Sequence, residues 1–318
     1  MLIIADKYIP FLNGVLESVG QIEYLEPDEI TNSRIKSADA LFVRTRTGCN
    51  RKLLEGTQVR FIATATIGYD HIDTLYCNKN NIFWTNAPGC NSQGVCDYVE
   101  AAIKHLAEER SLNALTIGIV GAGNVGTLVA QMAERLGMNV ILNDPPKAIG
   151  VSLSEIAQKS DIITFHTPLT KCGEFPTWHL CDESFLELCK PNAVIINAAR
   201  GGVVDEKALL KHLKKQGNKL TAIIDTWEGE PHINIDLLHL VTIATYHIAG
   251  YTLQGKINAT QMCLNAFSKY FNLPYFTIDS KTLSLQPIVN PHWIMDVDTR
   301  LREHPEQFET LRETYKLR

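Results

Sequence analysis

Short apolar runs rich in β-branched residues alternate with amphipathic stretches along most of this chain. Apolar runs bounded by turn residues predict buried strands, whereas apolar positions three and four residues apart predict helices. The alternation predicts an α/β protein with parallel sheets, because each helix can return the chain to the start of the next strand.

The first segment of the chain contains five predicted strands and two predicted helical stretches. The strands cover residues 2–5, 21–25, 40–43, 61–65 and 82–85. The helical stretches lie near residues 8–18 and 71–79. The turn Ala87-Pro88-Gly89 closes the segment, because proline and glycine favour turns.

A second segment begins with a helical pattern at Ser92, which we interpret as a hinge helix. Its predicted strands cover residues 115–120, 138–143, 161–166, 193–197, 220–225 and 241–245. Ser152 and Glu155 have the spacing of a capping box, and another helix follows Asp205. A long helical stretch over residues 253–271 can return the chain to the first segment. No fold is assigned to the residues after about 283, whose polarity is mixed.

Composition and charge narrow the classes of function. The chain has 318 residues, enough for two domains, and 45% of them are hydrophobic. A formal net charge of −5 argues against a nucleic-acid or anionic-membrane partner. The N-terminus meets Asp6 too early for a signal peptide, and no apolar run approaches the ~18 residues of a membrane span. Eight cysteines without a C-x-x-C pair favour reduced thiols, so we expect a cytoplasmic protein.

A glycine motif, Gly121-x-Gly123-x-x-Gly126, follows an apolar strand and opens a helix. In that context the first glycine permits a tight turn, the second lets the backbone approach a pyrophosphate, and the third lets helix and strand pack closely. Asp144 ends the next strand, 18 residues after Gly126, where a carboxylate can accept hydrogen bonds from ribose hydroxyls. No arginine follows directly, so NAD is favoured over NADP. The alternative is that Asp144 only caps a strand end.

The motif also indicates the domain organisation. We predict two doubly wound parallel-sheet domains, a Rossmann-type NAD-binding domain over residues 93–251 and a flavodoxin-like substrate domain. The substrate domain would be discontinuous and would comprise residues 1–92 and 252–282. Residues 283–318 would remain as a short C-terminal tail.

Arg200 follows the predicted strand 193–197 and precedes two glycines. Its side chain should therefore emerge at the carboxyl end of a strand, where open α/β sheets bind their ligands. A guanidinium there can pair with a substrate carboxylate and polarise a neighbouring oxygen. The alternative is a structural arginine that bridges a surface turn.

Glu230 and His247 could supply a carboxylate and an imidazole to the same edge. Pro231 restricts the backbone of Glu230 to extended conformations, and Gly250 leaves room near His247. If the two side chains meet, Glu230 orients the ring and stabilises the imidazolium formed during turnover.

Asp225 allows two interpretations. Asp225 ends the strand 220–225, where it either hydrogen-bonds the nicotinamide ribose or caps the loop. His166 and His179 have no convincing ligand spacing, so we expect no metal site.

Together these residues resemble the D-2-hydroxyacid dehydrogenase family, and further motifs are similar to its erythronate-4-phosphate dehydrogenase branch. The match runs from the N-terminus to about residue 273. The motifs that carry it are Ala65-Thr66-Ile67-Gly68-Tyr69-Asp70-His71-Ile72-Asp73, Ala87-Pro88-Gly89-Cys90-Asn91, Asp144-Pro145-Pro146, Phe165-His166-Thr167-Pro168-Leu169, Trp227-Glu228-Gly229-Glu230-Pro231 and His247-Ile248-Ala249-Gly250-Tyr251-Thr252.

The resemblance implies residue roles. Arg200, Glu230 and His247 would form the catalytic trio. The implied cofactor contacts are Gly121, Gly123, Asn124, Val125, Gly126, Asp144, Thr167, Ala198, Asp225 and Gly250. The implied substrate contacts are Thr45, Thr66 and Tyr251; position 45 is more often serine in the branch, and threonine keeps the hydroxyl.

The implied reaction is the NAD-dependent oxidation of 4-phospho-D-erythronate to 2-oxo-3-hydroxy-4-phosphobutanoate, a step toward pyridoxal 5′-phosphate, by a homodimer. We expect backbone N–H groups around Gly68, together with Arg200, to hold the substrate carboxylate. The expected cations for the phosphate are Arg44 and Arg46, with Lys256 behind them. Alternatively, these are solvated charges at the rim. Members of the branch carry a longer C-terminal dimerisation region, so this tail is expected to be shortened.

Two other functions stay open at this point. One is a different D-2-hydroxyacid dehydrogenase, acting on phosphoglycerate, glyoxylate or hydroxypyruvate. The other is a non-enzymatic NAD-binding sensor or corepressor on the same scaffold, against which the intact Arg200, Glu230 and His247 speak.

Overall fold

A computed structural model describes residues 1–107, 111–215, 220–278 and 293–317. In chain order, its strands are β1 (Leu2–Asp6), β2 (Gln21–Leu25), β3 (Ala40–Val43), β4 (Phe61–Thr64), β5 (Phe83–Thr85), β6 (Thr116–Val120), β7 (Asn139–Asp144), β8 (Ile149–Gly150), β9 (Ile162–Phe165), β10 (Val194–Asn197), β11 (Thr221–Ile224) and β12 (Ile243–Ala244). Its helices are α1 (Arg51–Leu54), α2 (Thr74–Lys79), α3 (Ser92–Ala107), α4 (Asn124–Arg135), α5 (Leu153–Lys159), α6 (Glu183–Leu188), α7 (Glu206–Leu213), α8 (Ile235–Leu238), α9 (Leu253–Phe271), α10 (Trp293–Glu303) and α11 (Phe308–Glu313).

The chain divides into two compact units. Unit 1 comprises Met1–Asn91 with Thr252–Leu285, and unit 2 comprises Ser92–Tyr251 with Gln286–Arg318. Each unit is built around a sheet of its own. The first unit is therefore discontinuous in sequence, because the chain leaves it before α3 and re-enters it with α9.

The sheet of unit 1 is parallel and has the order β2-β1-β3-β4-β5. This order is that of flavodoxin-like doubly wound sheets. Successive residues of β1 face opposite sides: Ile4 packs in the same cluster as Cys77 of α2, and Ile3 packs with Phe267 of α9. Helices therefore cover both faces, which explains why these strands are continuous apolar runs rather than alternating ones.

The sheet of unit 2 has the order β12-β11-β10-β9-β6-β7-β8. Every pairing is parallel except that of the two-residue strand β8, which runs antiparallel to β7 at the edge. The chain moves from β6 to β7 on one side and returns through β9 on the other, so the strand order reverses at β6. Doubly wound sheets bind ligands at the carboxyl ends of the strands beside such a reversal.

The predicted fold class of two doubly wound, predominantly parallel sheets is confirmed. The capping box is also confirmed: Ser152 Oγ accepts the Glu155 N–H at 3.2 Å, and the Glu155 carboxylate accepts the Ser152 N–H at 3.4 Å. The helix 253–271 has the predicted bounds. The antiparallel strand β8 departs from the purely parallel prediction.

One predicted helix is wrong. Residues 8–18 form a series of turns rather than a helix. Phe11 and Gly14 have positive φ angles of 63° and 84°, which right-handed helices do not accommodate. Pro10 also lies within this stretch and cannot donate a helical hydrogen bond.

The C-terminal residues, for which the sequence predicted no fold, pack on unit 2. Asp298 of α10 accepts the backbone N–H of Ala244 at 2.7 Å and so satisfies a donor of β12 at the edge of the sheet. Arg302 binds both Asp298 and the carbonyl oxygens of Leu238 and Val241. These buried contacts make the last helices part of the domain. The predicted tail begins at residue 283, and its residues 283–292 lie outside the described ones.

No helix within the described ranges is both long and apolar enough to cross a lipid bilayer.

Candidate active site

The glycine loop between β6 and α4 has the geometry that its motif predicts. Gly121 has a φ of 96°, and a Cβ there would lie 2.7 Å from the carbonyl oxygen of His166. A Cβ on Gly126 would lie 1.9 Å from the carbonyl oxygen of Gly121. A Cβ on Gly123, in contrast, would have no neighbour within 4 Å among the described residues. Two glycines therefore permit close backbone packing, and the middle one borders open space.

That open space lies at the start of α4, a helix of 12 residues whose N-cap, Gly123, provides no side-chain hydrogen bond. The first N–H groups of a helix without such a cap can bind an anion, and the helix dipole favours negative charge there. The loop thus fits the pyrophosphate of a dinucleotide.

Asp144 is buried at the end of β7, beside the glycine loop. Its Oδ2 atom accepts the Ala122 N–H at 2.9 Å and lies 3.6 Å from Lys147 Nζ. Thr167 follows β9, on the other side of the strand reversal, and its buried Oγ1 atom has no hydrogen-bond partner among the described residues. Since buried polar atoms are nearly always hydrogen-bonded, this hydroxyl fits a site that a polar ligand completes.

Arg200 lies in a turn that Asn197 holds in place. The Asn197 side-chain amide donates to the carbonyl oxygens of Arg200, at 3.1 Å, and of Thr226, at 3.2 Å. A Cβ on Gly201 would lie 1.9 Å from the carbonyl oxygen of Trp227, so the Arg200 turn and the loop after β11 touch backbone to backbone. The half-buried Arg200 guanidinium donates to the carbonyl oxygen of Ala199 at 2.8 Å. The structure therefore places Arg200 next to the loop that carries Glu230.

Glu230 and His247 do meet. His247 Nδ1 lies 2.7 Å from Glu230 Oε2, and Glu230 Oε1 accepts the Trp227 N–H at 2.8 Å. Both side chains are partly exposed, at 27% for His247 and 20% for Glu230. Burial is the largest single influence on the pKa of Glu230 and raises it, but the hydrogen bond and charge of His247, the Trp227 N–H and the charge of Arg312 together outweigh burial. The pKa is therefore lowered, and the carboxylate stays ionised.

His247 has a φ of 57°, in the left-handed region that few residues with side chains adopt. Asp225 holds this backbone conformation through three hydrogen bonds. Its carbonyl oxygen accepts the His247 N–H, and its carboxylate accepts the N–H groups of Ile248 and Ala249 at 2.8 and 3.0 Å. Backbone strain of this kind persists only where the surroundings enforce it, and it is concentrated at functional sites.

The structure shows that Asp225 caps the loop after β12, which is the second of its two predicted roles. Its side chain is fully buried and also accepts a hydrogen bond from Thr245 Oγ1 at 2.6 Å. Three internal donors thus occupy the carboxylate, which holds the His247 loop. The ribose contact of Asp225 stays a prediction.

In unit 1, Thr66 and Gly68 form part of one hydrogen-bonded loop. Thr66 Oγ1 donates to the Gly68 carbonyl oxygen at 2.9 Å and lies 2.8 Å from Thr64 Oγ1. Thr45 and Arg46 are exposed. Arg44 makes a two-point ion pair with the fully buried Asp6, at 2.9 and 3.2 Å, so two of its donors serve the fold.

His179, Asp205 and Glu228 form a cluster that sequence spacing did not reveal. One potential ligand atom from each lies within 4.8 Å of the others, a separation that could hold a metal ion. However, His179 Nδ1 faces Asp205 at 3.5 Å while Nε2 faces Glu228 at 3.1 Å. The ring thus bridges two carboxylates through different nitrogens and ties the loop after β11 to the start of α7.

Glu206 lies beside this cluster and accepts the Glu228 N–H at 2.6 Å. Its side chain is buried next to other carboxylates. Burial raises its pKa to about 7, and the nearby Glu228, Glu230 and Asp205 also raise it. Glu206 therefore titrates near neutral pH, and its protonated form predominates only below that.

Arg312 is a further residue that sequence reasoning missed. Its guanidinium carbon lies 5.4 Å from the centroid of the Tyr251 ring, and Tyr251 follows His247 by four residues. The contact joins positions 61 residues apart in the chain. No local motif marks such a contact, so only the fold could reveal it.

Comparison with known proteins agrees with this geometry. The family model described as D-isomer specific 2-hydroxyacid dehydrogenase, NAD binding domain, matches residues 98–249. The chain is 44% identical to an erythronate-4-phosphate dehydrogenase of Bacteroides fragilis, over 100% of this chain and 97% of the relative. It is 41% identical to an erythronate-4-phosphate dehydrogenase of Pseudomonas fluorescens, over 96% of this chain and 80% of the relative.

Among solved structures, an NAD+-bound 3-phosphoglycerate dehydrogenase from Entamoeba histolytica aligns with a TM-score of 0.71 and 27% identity. The alignment covers 86% of this chain and 95% of that one. The similarity to relatives therefore extends through both units.

Proposed function

Because the chain belongs to the D-2-hydroxyacid dehydrogenases, in the erythronate-4-phosphate dehydrogenase branch, we propose that it oxidises 4-phospho-D-erythronate to 2-oxo-3-hydroxy-4-phosphobutanoate. The chain is an NAD-dependent oxidoreductase that acts on the CH–OH group of a hydroxy acid. One observation supports the proposed chemistry most directly, the 2.7 Å contact between His247 Nδ1 and Glu230 Oε2.

The proton of the C2 hydroxyl goes to His247 in this proposal. Glu230 occupies Nδ1, so Nε2 is the nitrogen left to accept the proton. Glu230 can only accept a hydrogen bond while it is ionised, and its lowered pKa keeps it so. It therefore orients the ring and stabilises the imidazolium as it forms. NAD, when bound, accepts the hydride that leaves C2.

Arg200 binds the substrate carboxylate and polarises the C2 oxygen in the same proposal. The hydrogen bonds from Asn197 and the contact of Gly201 with Trp227 fix the turn that presents it. A guanidinium suits this task because it stays charged and can donate two parallel hydrogen bonds to a carboxylate. The proposed substrate contacts without charge are Thr45, Thr66, Gly68 and Tyr251.

The proposed NAD contacts fall into two groups. The loop Gly121–Gly126, including Asn124 and Val125, offers N–H groups to the pyrophosphate, and Asp144 accepts from the adenosine ribose. Thr167, Ala198, Asp225 and Gly250 would contact the remainder of the cofactor. The orphaned Thr167 hydroxyl supports its assignment.

Steady-state oxidation with NAD tests the proposal. The full chain is assayed by NADH fluorescence on 4-phospho-D-erythronate, D-3-phosphoglycerate, glycolate and D-glycerate. We expect the highest kcat/KM on 4-phospho-D-erythronate. A higher value on another of these acids would reassign the substrate within the same family, and no turnover with NAD-dependent capture of a protein partner would favour the sensor.

The proposal extends to a cytoplasmic homodimer that works in pyridoxal 5′-phosphate synthesis. Light scattering of the purified chain should give a mass of twice 35.5 kDa. Expression of the chain should also restore growth without pyridoxine in cells that lack this dehydrogenase. Failure to restore growth, with 4-phospho-D-erythronate oxidised in vitro, would reject the pathway and keep the reaction.

A further inference from the structure

The C-terminal helix α11 carries one guanidinium that contacts Tyr251, four residues after His247. Phe308 is buried, and Leu311 and Tyr315 pack against the core of unit 2, so the residue between them, Arg312, has a fixed position. Its guanidinium lies over the ring of Tyr251, with 5.4 Å between Cζ and the ring centroid. The cation and the aromatic ring attract each other at this distance.

The charge of Arg312 also acts on Glu230, the carboxylate that contacts His247. The pKa of Glu230 reflects its burial first, then its bonds to His247 and Trp227, and the Arg312 charge lowers it further. The acidic neighbour of Arg312 on its own helix is Glu309, 3.9 Å away between Nη1 and Oε2, at the far limit of an ion pair. Arg312 is thus only loosely paired with Glu309, and its charge also acts on Glu230.

One donor of Arg312 lacks an acceptor. Its Nε atom is buried and has no hydrogen-bond partner among the described residues. A buried donor of a charged group is costly when unsatisfied, so native structures supply an acceptor from protein, water or ligand. The side chain keeps 24% of its surface exposed, so a bound anion could reach the guanidinium.

We propose that Arg312 binds the phosphate of a phosphorylated 2-hydroxy acid, which makes the C-terminal helix a determinant of substrate specificity. The proposal rests on the proposed function. It assigns the carboxylate end of the substrate to Arg200 and the phosphate end to Arg312, with His247 facing C2 between them. A guanidinium matches phosphate oxygens in two-point geometry. Arg44, one of the cations expected from the sequence beside Arg46 and Lys256, already has two donors on Asp6.

The test compares two substrates on three proteins: the full-length chain and its variants Arg312→Gln and Arg312→Lys. Loss of one charged hydrogen-bonding group costs about 10- to 100-fold in binding. Arg312→Gln should therefore lower kcat/KM on 4-phospho-D-erythronate by that factor, mainly through KM, and should lower the slow oxidation of unphosphorylated D-erythronate much less, only through the loss of its charge near Glu230. Arg312→Lys keeps the charge without the planar fork and should fall in between.

Two matched variants serve as controls. Arg300→Gln removes an exposed arginine from α10, the preceding C-terminal helix, and should leave both substrates unaffected. Glu309→Gln removes the distant carboxylate and should leave KM for the phosphorylated substrate unchanged or lower it. Circular dichroism and the Tm of each variant show whether it is folded.

Inorganic phosphate separates this proposal from the assignment of the reaction. Calorimetry with NAD present should show phosphate binding to the full chain about tenfold or more tighter than to Arg312→Gln, whichever acid the enzyme oxidises. If the chain does not oxidise 4-phospho-D-erythronate but shows this difference, the proposed function fails and the anion site stands. Equal phosphate affinity would overturn the Arg312 proposal. An equal loss on both substrates would also overturn it, because Arg312 would then act only through Glu230 and Tyr251.

Discussion

His247 occupies a backbone conformation that its residue type disfavours, and the surrounding hydrogen bonds explain why it persists. Its φ of 57° aims the ring at Glu230, while Asp225 binds the three successive N–H groups of His247, Ile248 and Ala249 through its carbonyl and carboxylate oxygens. A strained φ/ψ costs about 1–3 kcal/mol. The loop thus stores strain where the proposed base must be held.

Glu230→Gln tests the contribution of the carboxylate. The amide can keep a hydrogen bond to the ring, but it carries no charge to stabilise the imidazolium. We expect kcat to fall by roughly 10²-fold, within the range of general acid–base contributions, with little change in NAD affinity. Stopped-flow and steady-state rates on the best substrate measure this. A kcat within twofold of that of the unmodified chain would show that the charge of Glu230 does not contribute to the mechanism.

Glu206 makes stability depend on pH. Its folded-state pKa of about 7 exceeds the ordinary 4.5, so the folded state holds a proton that the unfolded state releases. Stability from this group is therefore full below about pH 4.5 and is lost as the pH rises through about 7. Glu206→Gln should stabilise the chain at pH 8, by up to about 3 kcal/mol at 1.36 kcal/mol per pKa unit, and by nearly nothing at pH 4.5.

Urea denaturation of Glu206→Gln and the unmodified chain at pH 5 and pH 8 measures this effect. The stabilisation should be the larger one at pH 8. A difference of the same size at both pH values would mean that burial does not shift this carboxyl. Glu174→Gln, at an exposed position in the loop after β9, controls for removal of a negative charge alone.

At the scale of elements, two substitutions in the glycine motif should differ in their effects on stability and on NAD binding. Gly126→Ala places a Cβ against the Gly121 carbonyl oxygen, at 1.9 Å before relaxation, so we expect lower stability and loss of NAD binding together. Gly123→Ala meets nothing within 4 Å among the described residues, so its Tm should stay within a few degrees. Its Cβ would nevertheless occupy the space of the pyrophosphate, and the Kd for NAD should rise about tenfold or more.

Thermal scans and NAD titrations of the two glycine variants distinguish these outcomes. If Gly123→Ala binds NAD normally, the open space beside α4 is not the pyrophosphate site. Both substitutions are glycine to alanine in one loop, so each controls for the other.

Which elements could be predicted depends on how local their cause is. The glycine loop, the capping box of α5 and the bounds of α9 follow from residues within a few positions of each other. The stretch 8–18 has the apolar spacing of a helix, but the positive φ angles of Phe11 and Gly14 prevent a helix there. The spacing of apolar residues gives no information about φ angles. The sequence left the meeting of Glu230 with His247 conditional, and the structure brings them together because their loops follow the neighbouring parallel strands β11 and β12.

At the scale of the whole molecule, the C-terminal helices are part of unit 2. Asp298 and Arg302 bind the edge of its sheet and the end of α8, and Arg312 reaches Tyr251. None of these contacts could be predicted from the sequence, because each joins residues more than 50 positions apart without a motif. For Asp225 the sequence left ligand binding and capping both open, since a carboxylate at a strand end fits either role, and the structure shows the capping contacts.

Asp298→Ala tests the attachment of α10. It leaves the Ala244 N–H and the Arg302 guanidinium without their buried acceptor, which costs about 2–4 kcal/mol of unfolding free energy for a partner of a buried charge. Denaturation curves should therefore show a clear loss of stability, whereas Asp296→Ala, at an exposed position of the same helix, should change it little. Equal curves for the two variants would contradict the claim that Asp298 attaches α10 to the sheet.

The central claim is that His247, braced by Glu230, takes the proton from the C2 hydroxyl of a phosphorylated hydroxy acid. The most direct measurement is kcat/KM of His247→Asn on 4-phospho-D-erythronate, together with its Kd for NAD. General-base assistance contributes roughly 10²–10⁴ in rate, so we predict a loss of that size with NAD affinity unchanged, while His239→Asn, an exposed histidine, retains full activity. Turnover by His247→Asn within a few-fold of the unmodified chain would contradict the account.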